Sequence, residues 1–406
     1  MAGIKAVIFD YKALSIERSE IRSAMADATS RLRAQGLRIC VFSTNESDRA
    51  NQIDQWGLTP SDCWITQKDV AGGKNRGSPE WISAAAERLA VKSHEFLYIG
   101  TTALDWRTAI NAGVMYAHAG WARPQPARTT SIVLSQPNSV ISFVDLFLRY
   151  GPSWTYSLSD KRGQLEVRAL LPASAELPST PSAAFTLQDI FTYERNPTVG
   201  IQEIHSARNL LMMHVITSCY QEGLLSPGSH FCVYPSSTVG RVSAPLSEYV
   251  RPASTLVHGF YREDLLERYA QSTDTSLERY RARREGRSAN VSILDQANSV
   301  RIADRYAHGK LRDRTVVVFD DFMTEGTSLS WAQLLLSAAQ ASRVVLVSIG
   351  KYGGEWFTRQ IGLIPINPFA SQSYSITDFR AESRNLSIDA SALRRLQESF
   401  ALLAAQ

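Results

Sequence analysis

Two adjacent carboxylates at the end of an apolar strand, followed by a small-residue turn into a helix, can bind a sugar phosphate. The chain carries that order late in its length. The apolar residues 315–319 lead to Asp320 and Asp321, then to Thr324, Glu325, Gly326, Thr327 and Ser328, and then to helical spacing over residues 329–339. Main-chain N–H groups of such a turn and of the helix N-terminus form an anion cradle. Gly326 lets the backbone come close to a phosphate, and Thr324, Thr327 and Ser328 add hydroxyl donors. Asp320 and Asp321 can accept hydrogen bonds from two vicinal ribose hydroxyls, so a ribose 5′-phosphate satisfies both halves. The plainer alternative is a strand–turn–helix with two solvated acids.

A second set of candidates lies near the start. Asp10 ends the apolar run 6–9, Thr44 and Asn45 follow the run 37–42, and Gly100-Thr101 ends the run 96–99. Lys74 and Arg76 precede a Gly-Ser-Pro-Glu turn at 77–80, and Asp105 opens a short helical stretch. His118 follows a strand end, where a packed loop histidine is the expected role.

The elements that must position these residues alternate. Helical spacing covers 21–33, 80–89 and 105–112, between apolar runs at 6–9, 37–42, 96–99 and 114–117. Strands alternating with helices predict a parallel sheet covered on both faces, with ligands beyond the carboxyl ends of the strands. An amphipathic helix over 140–148 ends at Arg149-Tyr150-Gly151-Pro152, which places a domain boundary there: 1–150 and 151–406. The second half repeats the α/β signal, with strands at 165–171, 230–234, 315–319 and 344–349 and helices at 207–222 and 329–339. The Pro/Ser/Ala-rich stretch 172–184 reads as a loop or linker, and 262–287 as polar and highly charged. A chain of 406 residues fits two or three domains, since one hydrophobic core rarely grows past about 250–300 residues.

Bulk properties exclude several classes. With 44% hydrophobic and 20% charged residues the composition is that of a globular protein. A net charge of +4, from 43 basic and 39 acidic residues, is too mild to argue for direct nucleic-acid binding. Cys40, Cys63, Cys219 and Cys232 form no C-x-x-C pair, so four reduced thiols are expected rather than zinc or a disulfide framework. No apolar run is long enough to span a bilayer and the N-terminal run is too short for a signal peptide, so a cytoplasmic location is expected.

The motif at 315–328 resembles the phosphoribosyl-pyrophosphate (PRPP) motif of type I phosphoribosyltransferases. One departure is Glu325, which stands where that family has a small hydroxylated residue. Its carboxylate is expected to face outward, leaving only its N–H for the phosphate. The resemblance implies a pyrophosphate loop after an earlier strand, which Ser236, Ser237 and Thr238 fit, with Arg241 adding charge. It implies a flexible basic loop, for which 279–287 with Arg279, Arg281, Arg283, Arg284 and Arg287 is the candidate; a solvated, salt-bridged helix is the alternative. Lys351 is the candidate for base recognition, or an exposed loop lysine; Trp356 and Phe357 could cover a base or belong to the core. The cofactor implied is Mg²⁺, the substrates PRPP and a nucleobase-like acceptor, and the oligomer a homodimer.

The first half, over about 120 residues, resembles the haloacid-dehalogenase-like (HAD) superfamily. Asp10 matches the nucleophile, the Ser43-Thr44-Asn45 segment the phosphate-binding hydroxyl, Lys74 or less favourably Arg76 the charge-balancing cation, and Asp105 a metal-binding acid. Two acids of that family are replaced, by Lys12 and by Thr101. Mg²⁺ asks for hard oxygen ligands, so only Asp10 and Asp105 are left as metal candidates, and Lys12 could neutralise a phosphate or stand in for the metal. The expected fold class is α/β with two Rossmann-like parallel-sheet domains, a degenerate HAD-like one and a type I phosphoribosyltransferase-like one. The expected function is phosphoribosyl transfer from PRPP with release of pyrophosphate. The domain pairing resembles components of bacterial stress-response or phage-defence clusters, which implies an operon-encoded protein partner. The alternatives are a non-catalytic PRPP or nucleotide sensor and a HAD-type phosphohydrolase.

Overall fold

The computed structural model describes every residue except 1–2, 47, 49–56, 124–131, 181–182, 192–200, 273–277, 279–283, 287–291, 363 and 405–406. The chain divides into two compact units. One is Met1–Pro152 with Ile216–Pro227 and Leu256–His258; the other is Ser153–Val215 with Gly228–Thr255 and Gly259–Gln406.

In the first unit the chain runs β1 (Ala6–Asp10), α1 (Tyr11–Leu14), α2 (Ser19–Ala34), β2 (Arg38–Phe42), β3 (Cys63–Ile65), α3 (Glu80–Leu89), β4 (Phe96–Gly100), α4 (Ala103–Asn111), β5 (Met115–Ala119), β6 (Ile132–Leu134) and α5 (Asn138–Phe147). Its six strands lie in the order β3-β2-β1-β4-β5-β6, every pairing parallel. β1, β4 and β5 are buried along their whole length, as strands covered on both faces must be. Phe42, Trp81, Tyr98 and Trp106 pack in the core around Ile8. The register pairs Asp10 with Phe42, so the carboxyl ends of β1 and β2 finish side by side.

The second unit begins with β7 (Tyr156–Ser159), β8 (Leu165–Pro172), β9 (Glu176–Thr180), β10 (Ala183–Thr186) and α6 (Leu187–Phe191), ahead of α7 (Ile201–Gln221). It continues with β11 (His230–Val233), α8 (Ala244–Leu256), β12 (Phe260–Tyr261), β13 (Leu266–Arg268), α9 (Ile293–Ala297) and β14 (Val300–Ile302). It closes with β15 (Thr315–Met323), α10 (Thr327–Ala338), β16 (Arg343–Lys351), β17 (Glu355–Ile361), β18 (Phe379–Asn385), β19 (Ser387–Ile388) and α11 (Ala390–Ala404). Its main sheet is ordered β12-β11-β15-β16-β8-β7-β19. β12 to β8 pair in parallel, whereas β7 and β19 are antiparallel additions at one edge. The all-parallel expectation is corrected at that edge. A five-residue link from Ser159 to Leu165 is too short for a parallel crossover and closes a hairpin instead.

The linker expected over 172–184 is also corrected. β9 and β10 form a two-stranded antiparallel ribbon there, with a register shift between Ala183 and Ala184. Leu177 is buried, and Pro178 is tolerated because each strand of such a ribbon has a free edge. A second hairpin, β17 with β18, pairs Glu355 with Asn385 through to Ile361 with Phe379.

Candidate functional site

In the second unit, β15 runs four residues past the apolar run and carries Asp320 and Asp321 within the strand, Asp320 opposite Ser348 of β16. Both acids are half-buried. The Asp321 amide donates to an Asp320 carboxylate oxygen at 3.1 Å, and the Phe322 amide to an Asp321 oxygen at 2.7 Å. The turn that follows is fixed by three contacts. Gly326 has φ +75°, and a Cβ there would lie 2.1 Å from Cζ3 of Trp356, so only glycine fits between strand and helix. The Lys351 Nζ, buried at the end of β16, donates to the Thr324 and Tyr352 carbonyls at 2.5 Å each. Arg359 of β17, also buried, donates from Nη2 to the Thr327 hydroxyl at 3.1 Å and from Nη1 to the Ser330 hydroxyl at 3.3 Å. The Gly326 carbonyl takes the Ser330 amide at 2.7 Å, which starts α10 directly from the loop.

Those contacts correct the expectation for Lys351 and decide the open alternative for Trp356. The Lys351 ammonium is turned into the loop backbone, where it positions Thr324 rather than reaching a base; burial lowers its pKa to about 8. Trp356 belongs to the core, fully buried against Gly326. Glu325 is exposed, as its charge demands, with a carboxylate oxygen 3.8 Å from the Arg359 guanidinium. Thr327 is buried and Thr324 and Ser328 are half-buried around the same turn.

The loop after β11 is a compact turn. The Ser236 amide donates to the Arg241 carbonyl at 2.9 Å, and the Arg241 amide to the Thr238 carbonyl at 3.3 Å. Ser236 and Ser237 are half-buried, whereas Thr238 and Arg241 are exposed. Arg268, 4% exposed, holds this turn from beneath through the Pro235 and Ser236 carbonyls and reaches Gln296 at 3.0 Å. Burial lowers the Arg268 pKa while the Tyr234 and Asp320 charges oppose that shift, and burial raises the Tyr234 phenol. Asp320 is thus close enough to act electrostatically on the turn after β11, and the two loops share one sheet end. Of the basic segment 279–287, Arg279, Arg281, Arg283 and Arg287 lie outside the described residues. Arg268 and Arg359 carried no sequence signal of their own.

In the first unit the sheet end holds a closed ion-pair network. Arg76, not Lys74, meets the acids. Its Nη2 pairs with Asp10 Oδ1 and lies 2.9 Å from Asp105 Oδ1. Its guanidinium carbon is 4.8 Å from the Trp81 ring centroid, 5.2 Å from Phe42 and 5.9 Å from Tyr98. A planar guanidinium can bridge two carboxylates and lie against aromatic faces, which an ammonium does poorly. The backbone enforces the choice: Trp81 Nε1 donates to the Lys74 carbonyl at 3.0 Å and the Gly77 amide to Thr108 at 2.7 Å, leaving the Lys74 side chain exposed.

Asp105 is committed to its own helix. Its Oδ2 accepts the Thr101 amide at 3.0 Å, the Thr102 amide at 2.9 Å and the Thr102 hydroxyl at 2.8 Å, completing the N-terminal capping box of α4. Its Oδ1 accepts the Tyr98 hydroxyl at 2.8 Å. Thr101 donates its hydroxyl to Asp10 Oδ2 at 2.9 Å. Burial, then the Asp105 charge, raises the Asp10 carboxyl to about 6 against the pull of Arg76. Lys12, Thr44 and Asn45 are exposed, and the hydroxyl buried at the end of β2 is that of Ser43, which donates to Asp48. His118 is packed, with its Nε2 2.6 Å from the Arg123 carbonyl.

Metal-binding expectations meet a poor fit here. Among the described residues no group of three or more His, Cys, Asp or Glu is placed to hold a metal ion. The Asp10–Asp105 pair already has Arg76 between its oxygens. No helix among the described residues is long and apolar enough to cross a membrane.

No family model matches the chain, and no curated protein does. Solved structures that are similar include a HAD-superfamily hydrolase of Geobacter sulfurreducens, at 15% identity over 35% of this chain and 97% of that one, with a TM-score of 0.27. A HAD-superfamily hydrolase of Ehrlichia chaffeensis gives 14% identity over 36% and 97%, with a TM-score of 0.27. UMP synthase of Leishmania donovani spans 84% of this chain and 71% of its own, at 12% identity and a TM-score of 0.19. The structural neighbours over about a third of the chain are thus HAD-superfamily hydrolases, at TM-scores too low to carry an argument about activity.

Proposed function

We propose that the second unit binds PRPP and transfers its phosphoribosyl group to a base-like acceptor, with Asp320 and Asp321 on the ribose and the 324–328 turn on the 5′-phosphate. The observation that carries this reading is the turn itself. Gly326 admits no side chain, Lys351 ties its first carbonyl, and its amides open onto the N-terminus of α10, which favours an anion. Ser236, Ser237 and Thr238, at the neighbouring strand end, supply hydroxyl donors for the pyrophosphate. A nitrogen of the acceptor attacks the ribose anomeric carbon, the bond from that carbon to the pyrophosphate oxygen breaks, and the nitrogen's proton passes to solvent. Pyrophosphate leaves with the electron pair. Mg²⁺, when bound, would neutralise the pyrophosphate and would take its ligands mostly from the substrate, since two adjacent acids do not make a cage. The chain's own part is to hold the ribose and the leaving group in line and to offset charge.

A binding protein without turnover is the second reading, favoured by the Glu325 carboxylate beside the phosphate turn. Isothermal titration of PRPP with Mg²⁺ into the wild type and into the Asp320→Asn/Asp321→Asn protein tests the site. Binding lost in the variant supports it, and absence of wild-type binding at millimolar ligand rejects it. Pyrophosphate release with a panel of bases then separates transferase from sensor.

A further inference from the structure

The geometry points to a first unit that works without a divalent metal: Arg76 holds, as a resident cation, the position between Asp10 and Asp105. This stands apart from the reading of the second unit. Three observations carry it. The first is placement. One guanidinium nitrogen meets an oxygen of each acid, and the Arg76 and Asp105 side chains are 8% and 2% exposed. The second is saturation. Asp105 Oδ2 accepts three donors from Thr101 and Thr102, and Oδ1 accepts Tyr98 and Arg76, so neither oxygen is open to a metal without unmaking the start of α4. Asp10 is likewise divided between Arg76 on Oδ1 and the Thr101 hydroxyl on Oδ2. The third is enclosure. Arg76 Nη1 has no hydrogen-bond partner among the described residues, and the guanidinium lies beside the rings of Trp81, Phe42 and Tyr98. A buried cation paired to two acids and walled by π faces is compensated where it stands.

A metal entering this site would have to expel a buried arginine and then find oxygen ligands that the described residues do not offer, because Thr101 and exposed Lys12 flank the pair. Chemistry at Asp10 that depends on Mg²⁺ is therefore closed off, and Arg76 keeps the two acids together in its place.

The test is a titration of Mn²⁺, followed by electron paramagnetic resonance of the free ion, into the full chain with and without inorganic phosphate. PRPP is left out so that the second unit adds no substrate-borne metal. The wild type should bind no Mn²⁺ through Asp10 up to about 5 mM, with a titration unchanged in Asp10→Asn. Wild-type binding that Asp10→Asn abolishes overturns the inference. In Arg76→Met the acids lose their cation, so the melting temperature should fall, and Mn²⁺ at up to about 5 mM should not restore it, because the Asp105 oxygens still hold Tyr98, Thr101 and Thr102. A folded Arg76→Met protein that melts with the wild type, or one whose melting temperature Mn²⁺ restores, also overturns it. If that variant does not fold, the wild-type titration decides alone.

Discussion

Replacing Gly326 by alanine tests the central turn most directly, because the structure separates its two costs. The first is backbone: φ is +75° at Gly326, and an alanine in the left-handed region costs about 1–2 kcal/mol. The second is steric. The new Cβ would sit 2.1 Å from Cζ3 and 2.4 Å from Cε3 of the fully buried Trp356, which no rotamer of alanine relieves. Forcing extra volume into a packed core costs about 1–3 kcal/mol. The sum is about 2–5 kcal/mol. Gly353 is the internal control: its φ is +69°, but nothing lies within 4 Å of a Cβ built there, so Gly353→Ala carries the backbone cost alone. Urea unfolding of the wild type and both variants should place Gly326→Ala lowest, separated from Gly353→Ala by about 0.3–3 M, the steric cost of about 1–3 kcal/mol divided by a slope of about 1–3 kcal/mol/M. Equal midpoints for the two variants refute the packing argument, and an unaltered PRPP titration in a folded Gly326→Ala protein refutes the phosphate role of the turn.

Other perturbations reach the remaining contacts. Arg76→Met should destabilise the first unit by about 3–5 kcal/mol, since it strands two buried acids; a melting curve within error of the wild type rejects the network. Lys351→Met leaves the Thr324 and Tyr352 carbonyls without their donor, at about 1–3 kcal/mol, and PRPP affinity should fall with it; titration and urea unfolding read both, and no change in either rejects the positioning role. For Asp10, the folded-state value of about 6 lies above the ordinary 3.8. The folded form therefore binds the proton more tightly, so this group's stabilisation is complete below pH 3.8 and is lost as the pH rises through about 6. Asp10→Asn should remove that slope between those values, read from urea midpoints across pH; an unchanged slope assigns it to other groups.

Much of the first unit's sheet was legible because its strands are buried on both faces and so read as uninterrupted apolar runs, as at Ala6–Asp10 and Phe96–Gly100. The strands Cys63–Ile65 and Ile132–Leu134 span three residues each, too few to establish any period. β18 was illegible for the opposite reason: six of its seven residues are exposed, so its pairing with β17 leaves no apolar alternation. The acids of both candidate sites could be read because each follows an apolar run: Asp10 closes β1, Asp320 and Asp321 follow the apolar start of β15, and Asp105 opens α4 just past β4. Their cations could not. Arg359 reaches Thr327 across 32 positions from a separate hairpin, and Arg268 reaches the turn after β11 across 32 positions. Arg76 stands two residues from Lys74, and sequence spacing alone could not separate them. The decision rests on the Lys74 carbonyl and the Gly77 amide being held by Trp81 and Thr108, which send Arg76 inward. A strand's hydrophobic pattern fixes where a short acid at its end must sit, whereas a long cation arrives on flexible methylenes from any element within reach. The same reach is why Arg76, entering from the side, can bridge acids delivered by β1 and α4, a place that the short Thr101 and the outward-facing, exposed Lys12 do not close.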